Sequence, residues 1–414
     1  MPRLMSLLVL LLTGCTLVAP FGDLSTEGGG SCLMRPSVPP EMPLPVGMGT
    51  EVCNRVDDDG DGQVDTDLLE TRSATAYPQI PDVIEVRGMR GSADDRVAVV
   101  IASGAGQANA LRLAELFLGD GIEPVVATLV EGEVQGFDGV RIANGYAVAY
   151  SNGTEILVGV ASDCDLRFGA PPLMVSETES THVRVAAVDP RTLLVTWEAA
   201  DSEIGAALVD VSNDPVLSVD HPALLADVGY TNGRDPFALS DGMGTGYVVC
   251  GATDGSGVNN VYAISVGGGV GPAFPATNDG PGHPFFGAGP FTNAHGGASM
   301  DGDLVFAFGD DTASGRAYVV GEGITAFTYG IAGTVLGAAD SDTADVGMLL
   351  ELGGQNFVDR IGAELMGRYS QDTAPITLAP ESWTDLVGVR SGRTRYAVIG
   401  TRGSTVVMQR VLCP

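Results

Sequence analysis

Seven times between residues 97 and 412 the chain repeats one unit: an apolar strand, a tight polar turn and a second strand. The pairs are Val97 to Ile101 with Leu111 to Leu116, Tyr146 to Tyr150 with Glu155 to Val160, and Leu193 to Trp197 with Ala206 to Val211. They continue as Tyr247 to Cys250 with Val261 to Val266, Leu304 to Phe308 with Arg316 to Val320, Gly347 to Leu352 with Phe357 to Leu365, and Tyr396 to Gly400 with Thr405 to Leu412. Successive units start 43 to 57 residues apart. An isolated strand pair is not stable in water, so a chain made of such pairs must stack them. A period of about 50 residues, with room for about four strands, is that of β-propeller blades set around an axis. A β-sandwich needs no such regular repeat, and a solenoid repeat is shorter. The expectation is an all-β fold, a seven-bladed β-propeller over residues 80–414, with six or eight blades as the alternatives.

Local signals agree with this reading. Asn152-Gly153 and Gly353-Gly354 sit at the turns of two units, and Asn-Gly is the strongest short hairpin signal. The outer strands, such as Val183 to Val188, are less regular. Val83 to Arg87 and Val406 to Leu412 lie at opposite ends of the repeat region and are expected to complete one blade between them. Such closure removes the exposed sheet edge.

Ahead of the repeats, Arg3 is followed by the apolar run Leu7 to Leu12, a charged n-region and a short h-region of an export signal. The run is far below the ~20 residues that span a bilayer. Leu12-Thr13-Gly14-Cys15 closes it. These four residues resemble the lipobox of bacterial lipoproteins. The resemblance implies a signal peptide over residues 1–14, cleavage before Cys15, and a diacylglycerol on its sulfur with acyl chains of the palmitate kind. The protein would then be anchored in the bilayer through Cys15. Thr16 follows rather than the Asp associated with inner-membrane retention, so the expected location is the outer membrane, on its periplasmic face or at the cell surface. Residues 15–50 are rich in Gly and Pro and have no hydrophobic period. They read as a tether that holds the folded part about 30 Å from the bilayer.

Charge narrows the function further. All 21 basic residues are Arg, against 52 acidic ones, for a formal net charge of −31. With no lysine there is no Schiff base, no Walker-type phosphate lysine and no Ser-Lys dyad. A surface this negative repels nucleic acid and anionic headgroups, so no nucleic-acid partner is expected.

The segment 51–70 carries the sharpest chemical motif. Asp57, Asp59, Asp61, Gly62 and Asp65 have the 1, 3, 5, 6, 9 spacing of a calcium loop, in which alternate carboxylates converge on a hard cation and Gly makes the turn. Position 12, where a bidentate Glu is usual, is Leu68, with Asp67 or Glu70 as stand-ins. The expected site is therefore weak, with Kd of ~10⁻⁴ to 10⁻³ M. With its Cys53-Asn54 this segment resembles the MopE-type metal-binding motif, which recurs in exported proteins of myxobacteria and related deltaproteobacteria. The resemblance implies a surface lipoprotein. Arg55 stands where that motif usually has Gly, and Gly60 where a second Cys is common, so the motif's internal disulfide cannot form.

Beyond Cys15 there are five cysteines, an odd number. Cys32 with Cys53 is the nearest pair and the first expectation for a disulfide; Cys413 with either is the alternative. Cys250 lies in an apolar run and reads as a buried small hydrophobe. His283 and His295 lack zincin spacing and read as loop residues, and Asp340 to Asp345 reads as a solvated loop. No nucleophile elbow, sialidase-type box or third Gly for a dinucleotide fingerprint is present. The expected function is a propeller that binds or scaffolds an envelope protein or glycan. The alternative is a propeller hydrolase or lyase acting on polysaccharide.

Overall fold

The structure is a computed structural model. It describes residues 70–412 except 72, 94, 120, 213–214, 241–243, 258, 276–290, 301–302, 311–314, 321–325, 332–333, 339–344, 353–354, 365–367, 372–375, 378–382 and 391–394, and between 291 and 377 it describes the backbone alone. The described strands form seven antiparallel sheets. Sheet one is Val83–Arg90, Arg96–Ser103, Ala110–Phe117 and Val125–Glu131; sheet two is Gly136–Ile142, Gly145–Ser151, Ile156–Ser162 and Leu173–Ser176. Sheet three is Val183–Ala187, Thr192–Ala199, Glu203–Asp210 and Val216–His221; sheet four is Thr231–Ser240, Gly246–Thr253, Asn259–Val266 and Val270–Pro275. Sheet five is Phe291–Met300, Asp303–Asp310, Gly315–Val320 and Ala326–Ile331. Sheet six is Thr334–Ala338, Asp345–Leu352, Gln355–Glu364 and Arg368–Gln371, with Ile376–Thr377 added on Gln355–Glu364. Sheet seven is Thr384–Arg390, Arg395–Arg402 and Thr405–Leu412, with Glu70–Thr71 and Thr75–Tyr77 paired to its last strand.

The repeated strand pairs of the sequence are the two middle strands of each sheet, and burial explains why they alone stood out. Every residue of Arg96–Ser103 is buried. Side chains alternate between the two faces of a strand. Val97, Val99 and Ile101 join a core with Val389, Ala397, Ile399 and Met408 of sheet seven, while Ala98, Val100 and Ala102 join a core with Phe137, Tyr146 and Val148 of sheet two. Both faces are covered, so the strand is apolar from Val97 to Ala102. Similar cores join sheets two and three around Trp197 and sheets three and four around Leu194, Leu225 and Ile264. Val183–Ala187 has a half-polar pattern because it is the first strand of sheet three, whose Val183 and Val185 are buried while Arg184 is partly accessible.

The first strands of successive sheets lie against one another in chain order, and Thr384–Arg390 of sheet seven returns to Val83–Arg90 of sheet one. Close approach there needs a small residue. A Cβ on Gly88 would stand 2.4 Å from Val389 Cγ2, and one on Gly139 2.7 Å from Val100 Cγ2. The seam differs from the sequence expectation. Val83–Arg90 stays in its own sheet, and the earlier strands Glu70–Thr71 and Thr75–Tyr77 pair with the chain's last strand, Thr75 opposite Met408 and Tyr77 opposite Val406. Three residues of weak pattern carried no visible signal. Tyr77 is 3% exposed and packs in the core shared by sheets seven and one.

One buried polar network braces sheets one and two. Glu115 is 0% exposed. Its carboxylate accepts from Ser92 N at 3.2 Å, Arg96 Nη1 at 3.4 Å and the Tyr146 hydroxyl of sheet two. Arg96 also meets Asp95 at 3.4 Å and lies over the Phe117 ring.

Candidate functional site

The acidic run Asp57, Asp59, Asp61, Asp65 and Asp67, the anchor Cys15 and the pair Cys32 and Cys53 lie outside the described residues, as do Cys413, His283 and residues 340–344. His295 belongs to the strand Phe291–Met300, at a register shift between Ala294 and Gly296, and not to a loop. Cys250 is buried and free, and burial pushes its thiol up to about 12, in keeping with its reading as a small hydrophobe. Cys164 is disulfide-bonded, which nothing in its sequence neighbourhood announced.

What the sequence reading missed is a run of charge on the adjoining first strands. Glu85 and Arg87 on sheet one form an ion pair and stand on either side of buried Val86. Asp138 occupies the middle of the first strand of sheet two. It reaches across to sheet three, accepting from Val185 N at 3.0 Å with one oxygen and from Gly139 N at 2.9 Å with the other. Arg184 stands on the first strand of sheet three and donates to Val183 O at 2.8 Å. Glu85, Arg87, Asp138 and Arg184 are all partly accessible.

Burial works against the charge on both Asp138 and Arg184. Burial raises the Asp138 carboxyl above the usual carboxylate range, although Arg184 and Arg87 pull it the other way. Burial pushes the Arg184 guanidinium down to about 10, helped by Arg87 and opposed by Asp138, Glu85 and Asp235. Both shifts favour the neutral forms, so desolvation outweighs the attraction within the pair.

Next to Arg184 a second cluster joins sheets three and four. His182 precedes Val183–Ala187, Glu198 lies near the end of Thr192–Ala199, and Asp235 lies in Thr231–Ser240. The strand carrying Asp235 shifts register on both sides of Arg234, and Asp235 takes a left-handed φ of 49°. Such irregularities re-aim a side chain. Here Asp235 N donates to Glu198 Oε2 at 3.1 Å, and the carboxylate turns toward His182. The imidazole offers one nitrogen to each acid: Nδ1 lies 3.1 Å from Glu198 Oε2 and Nε2 lies 3.6 Å from Asp235 Oδ1. The Thr-His-Val-Arg-Val alternation at residues 181–185 was the one available signal, a strand whose polar positions are both cationic or imidazole.

No family model matches the sequence, and no curated protein matches it. Among solved structures the chain is similar to the BP39L lectin from Burkholderia pseudomallei, with TM-score 0.56 and 11% identity over 80% of this chain and 97% of that one. It also matches the β-propeller domain of Cps50 (Swd1) from Myceliophteria thermophila (TM-score 0.47, 11% identity, 82% of this chain and 98% of that one). A third match is the WD40 domain of coronin from Toxoplasma gondii (TM-score 0.47, 11% identity, 84% of this chain and 86% of that one). At these identities likeness speaks for fold alone, and with the repeating four-stranded sheets it makes this chain an all-β protein of the β-propeller kind.

Proposed function

We propose that the chain is an exported outer-membrane lipoprotein, anchored through Cys15 and tethered by residues 15–50, whose seven sheets are seven blades of one closed propeller. The propeller binds or scaffolds an envelope glycan or protein at the charged face formed by Glu85, Arg87, Asp138, Arg184, His182, Glu198 and Asp235. The acidic loop Asp57 to Asp67 adds a weak calcium site.

The observation that carries this reading is the cost of the Asp138 and Arg184 charges. Ionisable groups whose charged form is disfavoured by burial, on a partly accessible surface, mark functional positions. Planar guanidinium groups beside carboxylates suit recognition of hydroxyls and carboxylates by paired hydrogen bonds. Likeness to a lectin agrees with a glycan ligand.

The geometry favours binding over hydrolysis. Asp138 has each oxygen committed to a backbone amide, which does not suit a general acid.

The test uses the full chain carrying Cys15→Ala, released from its anchor, on an array of bacterial envelope glycans with and without 10 mM calcium. At least one glycan should bind, and Arg184→Met should abolish it. Binding that survives Arg184→Met, or none at all, contradicts the reading. The Cys15→Ala protein should leave the membrane fraction; unchanged detergent partitioning contradicts the anchor.

A further inference from the structure

We propose that His182, Glu198 and Asp235 form a binding site for a divalent metal ion of the zinc class, bridging sheets three and four. The three residues belong to the charged face proposed for the glycan, but zinc binding to them requires no glycan. One donor atom from each of the three residues lies within 4.8 Å of the others. Tetrahedral sites with bonds of ~2.0 to 2.2 Å place their donors roughly 3.3 to 3.5 Å apart. His182 Nδ1 and Glu198 Oε2, 3.1 Å apart, already stand near that spacing, while Asp235 Oδ1 faces the other ring nitrogen at 3.6 Å.

The ring presents a different nitrogen to each acid, and Thr181 Oγ1 also lies 3.3 Å from Nδ1. Binding needs one nitrogen on the metal and a closing movement of about 1 Å by the second carboxylate. The side chains are 28 to 38% exposed, so they have room to make it. The backbone already fixes their approach, through Asp235 N on Glu198 Oε2 and Ser180 Oγ receiving His182 N at 3.2 Å.

The donor set chooses the metal. An imidazole with two carboxylates suits zinc, nickel or copper, whereas calcium takes oxygen donors in larger number. Two carboxylates also balance the charge of one divalent ion. Arg184, close enough to feel Asp235, opposes binding and sets a moderate affinity. Three protein donors leave a fourth position for water.

The experiment is a zinc titration of the full chain by calorimetry, in 10 mM calcium to occupy the acidic loop. One zinc should bind, with affinity that rises with pH because the metal displaces an imidazole proton. His182→Gln and Asp235→Asn should each weaken it at least about tenfold, the usual scale for losing a ligand or its partner. Unchanged zinc affinity in both variants, or no binding at 1 mM zinc, overturns the proposal. A readout on the wild-type chain covers variants that fail to fold: in air, with dioxygen as the oxidant and ascorbate recycling the copper, bound copper should oxidise His182, and zinc should protect it. Oxidation confined to other histidines overturns the proposal as well.

Discussion

Removing Glu115 should unlock sheets one and two. In Glu115→Ala, Arg96, whose side chain is 8% exposed, loses its buried carboxylate partner, and the Tyr146 hydroxyl, in a residue 0% exposed, loses its acceptor. Breaking a buried pair from one side costs about 3 to 5 kcal/mol, and Asp95, which still faces Arg96, places this variant toward the low end of that range. Tyr146→Phe takes away one hydrogen bond to a charged acceptor, worth about 1.5 to 3 kcal/mol. The two losses overlap, so the double variant should fall short of their sum by at least about 1 kcal/mol. A fold of roughly 340 residues has an unfolding entropy that makes 1 kcal/mol about 1.4 °C, so Glu115→Ala should lower Tm by about 4 to 7 °C. Calorimetry and denaturant titration of the single and double variants measure this. A Glu115→Ala cost below about 1 kcal/mol, or full additivity with Tyr146→Phe, refutes the brace.

The same tyrosine gives an alkaline signature. Burial, then Glu115, raises the Tyr146 phenol above its ordinary value, so above about pH 10 the unfolded chain releases a proton that the fold retains. Stability should therefore fall as pH rises past about 10, and Tyr146→Phe should flatten the slope by about 1.4 kcal/mol per pH unit; identical slopes contradict it. Gly88→Leu should cost about 1 to 3 kcal/mol, because its side chain meets Val389 and Val387 where sheets one and seven converge; a neutral effect by denaturant titration would show that the strands do not approach so closely. Calcium at 10 mM should stabilise the acidic loop by about 1.4 kcal/mol if Kd is near 1 mM, and Asp59→Asn with Asp61→Asn should remove most of that response in a calorimetric or NMR titration of the full chain. No calcium-dependent change would leave the segment a solvated loop.

The middle strands were legible because burial on both faces writes a continuous apolar run, as in Arg96–Ser103. Thr75–Tyr77 was not, since a three-residue edge strand needs only Tyr77 to face the core. The charged face was equally hidden. Glu85, Asp138, Arg184 and Asp235 lie on different first strands, between 46 and 53 residues apart, and only the stacking of sheets brings them into one field. Asp235 depends further on a bulge and a left-handed backbone, local geometry that an Asp-Pro pair does not reveal. His182 was unremarkable in sequence because its partners are 16 and 53 residues away.

Arg184→Met separates a binding face from a structural brace in one protein. Asp138 keeps its two backbone amides in Arg184→Met, and both residues are partly accessible, so losing the guanidinium should cost little stability. Glycan binding and denaturant stability should be measured on the same preparation, beside the unsubstituted chain. The account predicts loss of binding with stability lowered by no more than about 1 kcal/mol. Destabilisation by more than about 2 kcal/mol with binding intact, the mark of a broken buried network, would contradict it.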